Sequence, residues 1–170
     1  MFARVLAGVF ALSPLASPAL AGAPQPTNKV DLTKMGGRWY EIARFYNHRQ
    51  KDCFAAAAEW VRKGEGFSVT NICRQGAVSG PVKTMRAGAK VVDPATNAKV
   101  KMTFMGLINQ EYWILDRAPD QSWFILATPG GNHVWLFSRD AQMPAQARSA
   151  AVARIKQLGY DTGKLLFTPH

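Results

Sequence analysis

The segment Gly37-Arg38-Trp39-Tyr40-Glu41-Ile42-Ala43 sets aromatic and β-branched residues between single charges, the composition of a strand with one buried face. Extended to Phe45, it is the first of eight short β-like segments, and the others are predicted at 55–62, 67–74, 85–92, 99–104, 112–116, 123–128 and 133–138. Turn clusters separate them at the intervals of an all-β barrel or sandwich. Lys63-Gly64-Glu65-Gly66, Asp93-Pro94-Ala95-Thr96-Asn97 and the stretch 117–122, with Pro119 and Asp120, supply the positive-φ and fixed-φ residues that close hairpins. In an up-and-down arrangement these three turns fall at one end and longer connections at the other, which describes a cup. No helix is expected before residue 140. Beyond it, Pro144 suits a first helical turn, and Ala147, Ala151, Ile155 and Leu158 lie near one face with Val152 beside them. Gly159 supplies the stop, so one helix packs on the outside, and 165–167 reads as a final short strand.

The 170 residues fit one domain, with no Pro/Gly/Ser-rich linker between two apolar-patterned regions, and a single core over 22–170 is expected. Ahead of it, 1–21 has a short basic start at Arg4, an apolar run over 5–12 and an Ala19-Leu20-Ala21 end, the pattern of a cleaved signal peptide. No cysteine precedes Cys53, so this leader does not end at a lipid-modified cysteine, and a soluble exported protein, periplasmic or secreted, is the expectation. Losing the leader removes Arg4 and no acid, which lowers the formal charge from +10 to +9. The excess is dispersed, and export together with the lack of a tight Lys/Arg run argues against nucleic acid as partner. Attraction to anionic ligands or an anionic membrane surface fits better.

Two cysteines in an exported chain favour one disulfide, and Cys53 and Cys73 have neither CxxC nor zinc-site spacing. A hairpin of 55–62 with 67–74 brings them together at the open end. Motifs of enzymatic chemistry are missing: there is no GxSxG, HExxH or Gly-rich phosphate loop. His48, His133 and His170 fall in loop, edge and terminal positions. No catalytic residue, metal ligand or cofactor is assigned.

The Gly37 to Ala43 stretch, a GxWYEIA sequence, resembles the first lipocalin motif. Trp113-Ile114-Leu115-Asp116 resembles the second, departing from its common form over 117–120, and Phe137-Ser138-Arg139 ahead of the predicted helix resembles the third. Their order and the eight-strand pattern cover nearly all of 30–169, with bacterial lipocalins and apolipoprotein D the nearest in kind. The resemblance implies an eight-stranded antiparallel up-and-down β-barrel of the lipocalin type with one C-terminal helix outside. It also implies structural roles for Trp39, which plugs the closed end, and for Arg139, whose guanidinium stacks across the indole.

Strand alternation then assigns the lining. With Trp39 inward, Glu41 and Ala43 also face in; with Glu59 outward, Ala56, Ala58 and Trp60 face in. Lys90, Lys99 and Lys101 in water leave Ala87, Ala89, Val91, Val100, Met102 and Phe104 inside. Tyr112, Ile114, Trp135 and Phe137 share the parity of the motif residues, and Val69 and Asn71 complete the set, while 123–128 is apolar on both parities. Small alanines opposite large aromatics point to a cavity rather than a solid core. The expected function is non-enzymatic: carriage or scavenging of one fatty acid, lysophospholipid or similar amphiphile, tail in the cup and head at its mouth. The alternatives are a lipocalin-type enzyme or an envelope-stress or structural partner with a filled barrel. Glu41, an acid among apolar neighbours, is the candidate for hydrogen bonding to Tyr112 or a ligand hydroxyl, or else for a salt bridge that merely holds the wall.

Overall fold

The computed structural model describes residues 22–170, so the signal-peptide expectation for 1–21 lies outside the described residues. Nine strands follow in order: β1 (Gly37–Phe45), β2 (Cys53–Lys63), β3 (Gly66–Gln75), β4 (Val82–Val91), β5 (Lys99–Phe104), β6 (Ile108–Arg117), β7 (Trp123–Ala127), β8 (Val134–Ser138) and β9 (Leu165–Phe167). Helix α1 (Ala145–Gln157) lies between the last two. β1 to β8 form a closed antiparallel barrel in which each strand pairs with the next and β8 returns to β1. β1 divides its pairing: Gly37 to Tyr40 bond β2, whereas Ala43 to Phe45 bond β9. The C-terminal residues fill the seam left between β1 and β2, where Ala55 N–H donates to Pro169 O at 2.8 Å and Thr168 N–H donates to Ile42 O at 3.0 Å.

Two apolar clusters share the sheet. Inside, Trp39, Trp60, Phe67, Val69, Met102, Ile114 and Phe124 pack with Ala58, Ala87 and Ala89. Outside, Ile42, Leu115, Ile125, Val134 and Leu136 pack against Ala151 and Ile155 of α1, with Ala147, Val152 and Leu158 at the margin. The helix therefore buries the face expected of it. The undecided seventh strand is resolved as well: Phe124 and Leu126 belong to the inner cluster, Ile125 and Ala127 to the outer one.

Two expectations are corrected. Single 3-10 turns occur before residue 140, at Leu32–Lys34 and His48–Gln50, where Asp31 and Asn47 side chains accept backbone N–H groups as N-caps. The connection between β5 and β6 is a tight turn over Met105, Gly106 and Leu107 rather than a longer loop, because β6 starts at Ile108. Residues 30–36 cross the closed end, where Val30 and Met35 join the inner core.

Candidate ligand-binding site

The closed end is built around Trp39, which is 0% exposed. Its Nε1–H donates to Met35 O at 2.9 Å, and its ring meets Phe124 edge-on with centroids 4.6 Å apart. The Arg139 guanidinium lies 3.6 Å from the indole centroid and donates to Arg38 O at 3.0 Å and to Lys34 O. Burial works against the charge of Arg139, and Glu59 favours it. Gly37 makes room for this stack: its φ is +91°, and a Cβ there would lie 3.2 Å from Arg139 Nη1.

Above this floor the inward residues divide into two groups. Ala56, Ala58, Trp60, Val69, Ala87, Ala89, Val100, Met102, Phe104, Ile114 and Phe137 are buried, filled in by the aromatics that the alanines face. Asn71, Tyr112 and Trp135 remain partly accessible, as does Val91, which packs against the inner core where β4 ends near the closed end. By strand register Asn71 pairs Met85 and Phe104 pairs Ile108, so Met85 and Ile108 share the inward parity of the mouth, as does Lys83 opposite Cys73. The accessible surface of the interior therefore lies toward the mouth. The wall there carries Tyr112 and Trp135 edge to face at 5.8 Å, with His133 stacked on the other ring at 5.8 Å. Burial holds the Tyr112 phenol above the ordinary tyrosine value, and the positive Arg49 nearby pulls it the other way.

Ala43 does not line the interior. A bulge shifts the register of β1 against β8 between Glu41 and Ala43, which places Ile42 and Ala43 together in the outer cluster. The same shift turns Arg44 inward, opposite Trp135. Alternation alone assigns Arg44 to solvent, and nothing in its neighbours marks the extra residue.

Glu41 does face inward, and its partners are those of the wall-holding salt bridge rather than Tyr112. Arg44 Nη1 donates to Glu41 Oε1 at 2.6 Å, Thr168 Oγ1 donates to the same oxygen at 2.7 Å, and Gln50 Nε2 donates to Oε2 at 2.6 Å. Arg44 also donates to Thr168 Oγ1 at 3.0 Å and through Nη2 to Gln50 O at 2.8 Å and Cys53 O at 3.3 Å. Trp135 Nε1–H donates to Gln50 Oε1 at 3.0 Å. This network ties the loop after β1, the start of β2, β8 and the C-terminus into one rim. Glu41 is thus a wall residue rather than a free ligand contact. Close by, Cys53 and Cys73 are bonded, with Cα atoms 5.2 Å apart.

Comparison with known proteins agrees with this architecture. A family model described as a lipocalin-like domain matches residues 30–170. Temperature-induced lipocalin-1 of Arabidopsis thaliana is 28% identical over 149 residues, covering 82% of this chain and 79% of its own. The outer membrane lipoprotein Blc of Vibrio cholerae is 27% identical over 146 residues, covering 84% of each. Insecticyanin from Manduca sexta shares the fold, with a TM-score of 0.73 at 20% identity over 91% of this chain and 88% of that one. With the Trp39–Arg139 stack closing an eight-stranded barrel and the family match spanning it, the chain belongs to the lipocalin family.

Proposed function

We propose that this lipocalin binds one small amphiphile, of the fatty acid or lysophospholipid class, in its barrel, entered from the mouth. Lipocalins generally bind small hydrophobic ligands. The observation that carries the narrower reading is the division of the interior. The floor is packed, while Tyr112, Trp135, Met85 and Ile108 offer apolar surface at the mouth beside the cations Arg49 and Lys83. An acyl tail entering there leaves the solvent against aromatic and thioether surface, and an anionic head stays with the cations. Of the expected lining residues, Tyr112, Trp135 and Asn71 would contact the ligand first. Ala56, Ala58, Trp60, Val69, Ala89, Val91, Met102, Phe104, Ile114 and Phe137 would contact it only as the tail displaces packing below.

Binding rather than catalysis is favoured because both cysteines of the chain are joined in the disulfide, which removes the thiols an enzyme of this shape would use. The bridge also supports a location outside the reducing cytoplasm. Native mass spectrometry and organic extraction of the purified protein identify the occupant, and titration with fatty acids of increasing length tests the site. Affinity should rise with chain length and fall in Trp135→Ala and Tyr112→Ala. Affinity independent of chain length, or unchanged in both variants, overturns the reading.

A further inference from the structure

We propose that the open end of the barrel docks on an anionic lipid surface, with Met105 and Leu107 entering it. Leu107 is 83% exposed and Met105 72% exposed. They sit at the tip of the β5–β6 hairpin, where Leu107 N–H donates to Phe104 O at 3.0 Å. Both central residues of that turn have positive φ, +50° at Met105 and +73° at Gly106. Asn-Gly is the low-strain pair for such a turn, whereas methionine in this region is strained, so local backbone preference does not explain an apolar side chain at the tip.

The tip does not stand alone. Ala87 pairs Phe104, so Met85, two residues nearer the mouth, runs alongside the turn, and the β3–β4 connection at the same end carries the exposed Val78 and Val82. Among the described residues the closed end has the separate exposed Val61 and Val92. An exposed patch of this kind marks an interaction surface. Its flanks decide the occupant. The open-end segments 46–52, 76–86, 105–109, 128–133 and 161–164 carry Arg49, Lys51, Lys83, Arg86 and Lys164 against two acids, Asp52 and Asp161, which lie 3.9 Å from Lys51 and Lys164 respectively. Projecting apolar tips inside a ring of cations suit the headgroup region of an anionic bilayer, into which a few side chains reach while cations stay at the phosphates.

Co-sedimentation with vesicles of phosphatidylcholine alone and of phosphatidylcholine with phosphatidylglycerol tests this. The protein should bind the anionic vesicles and bind the neutral ones weakly. The variant Met105→Ser/Leu107→Ser should bind the anionic vesicles at least about tenfold more weakly, since two exposed apolar side chains no longer enter the lipid. Lys51→Gln/Arg86→Gln should weaken binding and reduce its salt dependence, and Val61→Ser at the closed end should change nothing. Thermal melting of each variant separates a docking defect from misfolding, and a fatty-acid titration without vesicles separates it from loss of ligand binding. Equal vesicle binding by Met105→Ser/Leu107→Ser, or no preference for anionic vesicles, overturns the proposal. So does a concentration-dependent dimer that this variant abolishes without altering vesicle binding, which would assign the patch to a second copy.

Discussion

The guanidinium of Arg44 is held by protein oxygens alone, from Glu41, Thr168, Gln50 and Cys53, and its Nε has no partner among the described residues. A buried pair of this kind adds modest net stability, but removing one member strands the other charge. Arg44→Ala should therefore lower stability by about 3–5 kcal/mol in urea unfolding, and Glu41→Leu/Arg44→Met should lose less than Arg44→Ala. A double variant as unstable as the sum of the singles would show that the two side chains act independently. Tyr160 presents the opposite case. Its hydroxyl is buried without a partner among the described residues, its ring packs edge-on against Phe45 at 5.9 Å, and burial pushes its phenol up to about 12. An unfolded tyrosine ionises near ~10. Between those values the unfolded chain releases its proton first, so the stability present below pH ~10 is lost as pH rises toward 12. Tyr160→Phe should be neutral to about 1 kcal/mol stabilising at pH 7, because it removes an unpaired buried hydroxyl. It should also flatten the decline above pH ~10. A destabilised Tyr160→Phe would show that the hydroxyl has a partner in solution.

The strand β2 and strand β3 hairpin is stapled where it meets the rim, since the Cys53–Cys73 bridge spans 20 residues of sequence. In the chain-entropy account, closing such a loop contributes roughly 3 kcal/mol, so reduction should shift the urea midpoint accordingly. An unshifted midpoint after verified reduction would mean that the rim network alone holds this end. The closed end depends instead on the link between β1 and the segment after β8, and Arg139→Ala should cost about 1–2 kcal/mol with little effect on fatty-acid affinity. The strands themselves were legible in the sequence: β1, β5 and β9 begin and end where alternation and turn residues place them, and the others differ by a few residues at their ends. Side-chain direction was legible only between irregularities. Ala58, Trp60, Ala87, Met102 and Ile114 face inward as parity predicts, whereas one bulge after Glu41 exchanges Ala43 and Arg44, because an extra residue inverts every later assignment on that strand. The strand predicted at 112–116 is shorter than β6 because Ile108-Asn109-Gln110-Glu111 is too polar to announce a strand at an exposed rim. The Glu41 partners come from the loop after β1 and the C-terminus, 9 and 127 residues away, separations at which local pattern carries no information.

At the scale of the molecule, positive charge and the mouth of the barrel coincide, and that coincidence has a kinetic consequence. Arg49, Lys51, Lys83, Arg86 and Lys164 lie on open-end segments that carry two acids, Asp52 and Asp161, among the described residues, on a chain whose formal charge is +10. Exposed charges steer encounter more than they strengthen the final complex, and salt screens them over a Debye length of about 8 Å near physiological strength. Burial of the tail sets the affinity, at roughly 0.8 kcal/mol per methylene. A fatty acid should therefore associate faster than the alcohol of equal chain length at low salt, with the difference closing as salt rises. Dissociation rates should follow chain length in both series and respond little to salt. Stopped-flow measurement below the micelle-forming concentration, without vesicles, keeps capture of free ligand apart from docking on lipid. Charge-neutralising Arg49→Gln/Lys83→Gln should bring the acid's association rate toward that of the alcohol. Equal rates for acid and alcohol at low salt would remove steering from the account, leaving the rim cations to the lipid surface, while dissociation rates indifferent to chain length would remove the tail from the barrel.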